Sequence, residues 1–114
     1  MSSRDWQLRI GDILDAIADI EQWTSDKTML EFGQDPILSQ AILYKFIVVG
    51  EAAANIPEEI KIQYPNLPWR LMTDMRNAMA HEYFQIDLER VWNTLTFDLQ
   101  PLVAELRQIL IDNK

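Results

Sequence analysis

Arg76, His81 and Tyr83 are the residues of this chain best equipped to do chemistry. His81 is the only histidine in 114 residues, with an arginine five positions before it and a tyrosine two after. Together they offer a permanent cation, a group that titrates near neutrality and a phenolic hydroxyl. An imidazole can move protons at neutral pH, and a guanidinium stays charged and grips phosphate oxygens through two parallel hydrogen bonds. On one continuous helix Arg76 and His81 would point about 140° apart, whereas Asn77 and His81, four apart, would share a face. Convergence of the three therefore requires the helix to end near His81, or a second copy of the chain to complete the site. Taken alone, a histidine near a helix end is more often a cap or a core-edge hydrogen bond.

The rest of the chain must supply the frame. Its 114 residues suit one domain, residues 1–114, with 48% apolar and 25% charged side chains, both ordinary for a globular protein. Cysteine is absent, which excludes disulfides, thiolate metal sites and thiol catalysis. One histidine and scattered carboxylates form no ligand cluster of recognisable spacing, so neither a metal nor another cofactor is expected. The N-terminal Met-Ser-Ser-Arg-Asp-Trp has no apolar signal region. No uninterrupted run reaches the roughly 18 apolar residues of a membrane span. The longest candidate, residues 41–54, is broken by Lys45 and Glu51. A cytoplasmic protein without membrane association is the expectation.

The formal net charge of −8 runs against a simple nucleic-acid binder, whose footprint is usually basic. Residues 1–35 carry eight acidic and three basic side chains. That stretch is a solvated helix surface in its plainest reading and a face for a basic partner in its sharper one. Contact with a polyanion would have to be local, near Arg70, Arg76 and Arg90.

Apolar periodicity points to helices throughout. Trp6, Ile10, Ile13, Leu14, Ile17 and Ile20 recur at spacings of three and four, predicting a helix from Arg4 to about Thr24. Met29–Phe32 reads as a short helical turn stopped by Gly33. Asp35-Pro36 is a helix start, the aspartate capping and the proline at the first position. The second main helix runs to about Asn55 and is apolar around most of its circumference, so it should touch more than one neighbour. Its small residues at 50 and 52–54 permit close packing. Pro57 ends it, and residues 58–64 add a turn. Beyond the rigid connector 64–69, Trp69, Leu71, Met72, Met75, Ala78 and Met79 predict a third helix bearing Arg76 near its end. Asp87 caps a fourth, six turns long, with a kink at Pro101, which removes the bond to the Phe97 carbonyl. With no strand-like alternation or repeat in competition, the expected fold is all-α, an up-and-down bundle of four main helices.

These residues, in this order, resemble a known family. Arg76, four intervening residues, His81, one residue and Tyr83 match the Arg-X4-His-X-Tyr signature of HepT-like toxins in the HEPN superfamily, with Asn77 at the polar position after the arginine. Val49-Gly50-Glu51-Ala52-Ala53, Pro68-Trp69, Met75-Arg76-Asn77 and residues 84–92 are similar to further family segments. The resemblance spans roughly residues 4–112. It implies a dimer that brings two Arg-His motifs into a cleft, acting as a metal-independent endoribonuclease in a type VII-like HEPN/MNT toxin–antitoxin pair. The implied antitoxin is an MNT-type minimal nucleotidyltransferase that transfers AMP to Tyr83, in a hetero-oligomer with the toxin dimer.

The chemistry fits those residues. Metal-independent RNA cleavage uses the 2′-hydroxyl as an internal nucleophile and leaves a 2′,3′-cyclic phosphate and a free 5′-hydroxyl. It needs a group to move a proton, for which His81 is suited, and a cation for the charge gathering on phosphorus, for which Arg76 is suited. One histidine per chain is one short of a separate acid and base; a dimer brings two, or water serves. AMP on Tyr83 would set bulk and negative charge beside Arg76. Glu51 is either a contributor near the cleft or a buried partner of an arginine such as Arg76. Asn77 contacts phosphate or satisfies backbone near the helix end. Tyr83 also has a plainer reading as a half-buried packing residue. The rival to a ribonuclease is a non-catalytic HEPN interaction module that binds nucleotide or the partner nucleotidyltransferase.

Overall fold

The computed structural model describes residues 5–77 and 87–114. It is all-helical over these residues, with seven α-helices rather than the four main ones expected. They are α1 (Trp6–Thr24), α2 (Met29–Gln34), α3 (Pro36–Ala54), α4 (Glu58–Gln63), α5 (Trp69–Asp74), α6 (Leu88–Asn93) and α7 (Gln100–Asp112). A 3-10 turn, Met75–Asn77, follows α5, and a π-helical turn, Thr94–Asp98, follows α6. The extra helices come from breaks inside stretches that the apolar spacing alone joins.

Capping sets most of the helix starts. Asp5 accepts from the backbone N–H of Gln7 at 2.9 Å and opens α1. Thr28 and Glu31 form a reciprocal capping box on α2, with Thr28 N–H donating to Glu31 Oε1 at 2.9 Å and Glu31 N–H to Thr28 Oγ1 at 3.1 Å. Gly33 does not stop α2, which runs on to Gln34. The stop falls at Asp35, held extended at φ −111°, ψ 94°, because the residue before a proline is disfavoured in helical geometry. Asp35 then caps α3, accepting from Leu38 N–H at 3.0 Å. Asp87 caps α6 as expected, accepting from Arg90 N–H at 3.0 Å.

The core is built from the faces the spacing picked out. Ile10, Ile13, Ile17 and Ile20 of α1 are fully buried and meet Ile42, Phe46 and Val49 of α3. Leu99, Leu106 and Ile109 close the far side, where α7 packs on α1. Phe32 of α2, also fully buried, lies with its ring centroid 5.3 Å from that of Trp92 in α6. The buried Thr24 hydroxyl donates to the Ile20 carbonyl at 2.7 Å, so its burial leaves no polar group unmet.

The long C-terminal helix is distorted ahead of Pro101 rather than at it, with Asn93, Thr94 and Leu99 all keeping right-handed helical backbone angles. The π turn at Thr94–Asp98 spans the Phe97 carbonyl that Pro101 leaves without its bond, and α7 restarts with Pro101 in its first turn. A proline there lacks only an N–H the helix does not need. The helix expected from Trp69 through Met79 is likewise shorter. It tightens into the 3-10 turn after Thr73 and Asp74, two poor helix formers. Ala78 and Met79 lie outside the described residues.

By length and composition α3 could cross a membrane, in spite of Lys45 and Glu51, with 44% of its apolar window buried inside the fold. Its contacts with α1, α2, α5 and the 3-10 turn make it the central helix of the described fold.

The connector before α5 is tied to the C-terminal end of α7. Tyr64 donates its hydroxyl to Asp112 Oδ2 at 2.8 Å and accepts from Asn113 Nδ2 at 3.2 Å. Its carbonyl accepts from the Trp69 indole N–H at 2.9 Å. The bond to Asp112 raises the Tyr64 pKa, whereas bonds from Gln108 and then Tyr64 lower that of Asp112. The tyrosine's contribution to stability is therefore full below its unfolded pKa, near 10, and lost as pH rises through its folded value. The aspartate's is present above its unfolded pKa, near 4, and lost as pH falls through its folded value. Thermal unfolding of wild type and Tyr64→Phe across pH should show the widest gap between these limits, narrowing on both sides. A gap independent of pH would mean that the ionisation of Tyr64 and Asp112 is not linked to folding through this bond.

Candidate catalytic site

Arg76 sits on the 3-10 turn, the end of a short lever whose other end is anchored. Trp69, Met72 and Met75 are buried against the core and fix α5 and the turn along α3. The approach to α3 is closest at Gly50. A Cβ built there would lie 2.8 Å from Arg76 Cα and nearer still to its backbone nitrogen and its Cβ. No side chain fits between these two backbones, so the glycine is a seat for Arg76. An isolated glycine within an apolar helical run is a signal of this kind of close approach. The small residues around position 50 indicated tight packing, but not what would pack there.

The next residue along α3 holds the other end of the arginine. Glu51 Oε1 lies 3.5 Å from Arg76 Nη1. The expectation of a buried pair is not met, because the Arg76 side chain is 39% exposed and that of Glu51 58%. The pair stands where the 3-10 turn reaches the outer face of α3, and solvent keeps both groups hydrated. An exposed ion pair of this length contributes little to stability. It does define where the guanidinium is held, with donors in excess of that single contact.

Asn77 follows Arg76 on the turn and is exposed. Residues Arg76, Glu51 and Asn77 of the expected site are thus brought to one region, while His81 and Tyr83 lie outside the described residues. The other arginines expected near a polyanion are both exposed, and Arg70 faces Asp74 at 3.8 Å within α5. Among the described residues no three carboxylates or histidines converge as a metal site would require.

An apolar stripe leads along α3 to this pair. Ile37, Tyr44 and Glu51 are seven residues apart, so they fall on nearly one line. Ile37 is 83% and Tyr44 62% exposed, and Ala41, Ile47 and Val48 beside them are only partly covered. Beside the stripe, Lys45 of α3 pairs with Asp19 of α1 at 2.9 Å, with its Nζ 5.6 Å from the Trp23 ring centroid.

Over the described residues the fold is all-helical, with an arginine seated on a glycine and paired to the neighbouring carboxylate. Residues 13–109 match the family model described as Ribonuclease HepT-like. One relative, a candidate RNase of Methanocaldococcus jannaschii, is 32% identical over 112 residues, covering 98% of this chain and 93% of its own. A second candidate RNase of that organism is 31% identical over 112 residues, covering 98% and 97%. A protein of Thermococcus cleftensis named as a probable ribonuclease HepT is 33% identical over 98 residues, covering 86% and 89%. No solved structure matches the chain. The chain belongs to the HepT-like ribonuclease family.

Proposed function

We propose that this protein is a metal-independent endoribonuclease and the toxin of a HEPN/MNT toxin–antitoxin pair. The observation that carries the reading is the exposed guanidinium of Arg76, seated on Gly50, in a chain of the HepT-like ribonuclease family. In this reading Arg76 binds the scissile phosphate and stabilises the charge that builds on it. His81 moves a proton, and Asn77 assists at the phosphate. The 2′-oxygen attacks phosphorus, the bond to the 5′-oxygen breaks, and a 2′,3′-cyclic phosphate and a 5′-hydroxyl result.

The protein acts as a homodimer. A central helix that leaves an apolar stripe exposed has a face to bury. The stripe through Ile37 and Tyr44 supports a second copy there, and that stripe ends at Glu51 and Arg76. An interface at that end of the stripe would bring two Arg76 guanidinium groups together, each beside its Glu51 carboxylate, in a chain whose net charge is −8. A cognate MNT-type nucleotidyltransferase binds the dimer and transfers AMP to Tyr83, whose added phosphate and bulk exclude RNA.

The test is cleavage by protein shown by intact mass to carry no AMP, in the presence of EDTA, against tRNA, mRNA and rRNA. The expected products have cyclic-phosphate and 5′-hydroxyl ends, and prior AMP transfer to Tyr83 by the nucleotidyltransferase abolishes them. A bare dimer that cuts none of the three RNAs would overturn the ribonuclease reading in favour of a binding module.

A further inference from the structure

Transfer of the 2′-oxygen to phosphorus with loss of the 5′-oxygen moves two protons, one off the nucleophile and one onto the leaving group. One chain supplies a single histidine for these two transfers, whereas it also sets a carboxylate beside Arg76. We infer that Glu51 is the second proton-transfer group, the general base that takes the proton from the 2′-hydroxyl. This deepens the ribonuclease reading and rests on it.

Position and access both favour this carboxylate. Glu51 Oε1 lies 3.5 Å from Arg76 Nη1, so the group is already within a phosphate's width of the cation that would hold the scissile phosphate. Its side chain is 58% exposed, open to a nucleotide arriving from solvent. Among the described residues it is the carboxylate that pairs with Arg76. The long, single contact is the kind a phosphate displaces, because a guanidinium binds two phosphate oxygens at shorter range. Displacement leaves the carboxylate beside the nucleotide whose 2′-hydroxyl must attack. The proton balance closes within the chain. The 2′-O–H bond breaks toward Glu51, the 2′-O–P bond forms, the P–5′-O bond breaks, and the 5′-oxygen takes a proton from the imidazolium of His81. The carboxylic acid and neutral imidazole that remain exchange protons with water before the next turnover.

The experiment is a pH profile of kcat/KM for a short fluorogenic RNA, with wild type, Glu51→Gln and Glu51→Asp. Glutamine keeps the size and the polar contact to Arg76 but cannot accept the proton. The expected result is a fall of about 10²–10³ with Glu51→Gln, together with disappearance of the acid limb. Glu51→Asp should keep that limb, and acetate added to Glu51→Ala should restore activity in a saturable way. A uniform fall that leaves the acid limb in place, or no fall, would overturn the inference and reduce Glu51 to a partner that orients Arg76. Failure of wild type to cleave is a different result, visible before any variant is made, and overturns the ribonuclease reading with the inference.

Discussion

Arg76→Ala is expected to lower kcat/KM for RNA cleavage by about 10²–10³ while leaving the fold in place, since that is the range for removing one donor aimed at developing negative charge. The two halves of this expectation have separate causes. Stability should hardly change, because the guanidinium is 39% exposed and its contact with Glu51 is 3.5 Å long. What seats the residue is its backbone against Gly50, which alanine preserves. Activity should fall because the positive charge disappears from beside the phosphate. Arg76→Lys separates charge from geometry. A lysine returns the charge as a point, without the planar pair of donors that spans two phosphate oxygens, so it should recover only part of the loss. Initial rates with a fluorogenic RNA, alongside thermal melts, read both effects. A lysine variant as active as wild type would remove the two-oxygen clamp, and an alanine variant that unfolds would make Arg76 a structural residue first.

The parts of the fold legible in the sequence are those with local causes. Asp35 and Asp87 cap the helices they precede because a side-chain acceptor satisfies backbone N–H groups two or three residues on, whatever surrounds it. The α1 stripe is legible for a similar reason, since a period of 3.6 residues needs only a core to face. The breaks inside longer runs are less legible. The π turn before Pro101 and the 3-10 turn at Arg76 are accommodations between a local break and the tertiary packing around it, and the apolar spacing continues smoothly through both. Thr28 and Glu31 start α2 through a capping box that the apolar spacing does not register.

The candidate site shows the same division. That Glu51 meets an arginine such as Arg76 is one of two readings the sequence leaves open, and no spacing within the chain relates residues 51 and 76 to decide between them. That the pair would be exposed does not follow, because it depends on how far the 3-10 turn projects over the outer face of α3. The roles of His81 and Tyr83 rest on the sequence pattern and on side-chain chemistry.

Gly50→Ala tests whether the seat under Arg76 matters as much as the arginine itself. Alanine at an ordinary helical glycine stabilises by up to about 1 kcal/mol, since glycine has more backbone freedom to lose. Gly33 is such a position: it lies in α2, is exposed, and a Cβ there would meet nothing within 4 Å. Gly33→Ala should therefore raise Tm by a few degrees or leave it unchanged. At Gly50 the same methyl group would press on the backbone nitrogen and Cα of Arg76, atoms that cannot rotate away as the tip of a flexible side chain can. Either α3 or the 3-10 turn must move by about 1 Å, and overpacking of this kind costs about 1–3 kcal/mol. Net of the helical gain, Gly50→Ala should lose about 1–2 kcal/mol, a fall in Tm of several degrees for a chain of this size. The effect on cleavage should be larger than that on stability, because a displacement of about 1 Å in a group that positions a phosphate can cost about 10² in rate. Melting curves and kcat/KM of the two glycine variants, measured side by side, distinguish a seat from a spacer. A Gly50→Ala protein that melts higher and cleaves as wild type would show that α3 and the turn have room for the methyl group. The glycine would then have no part in holding Arg76.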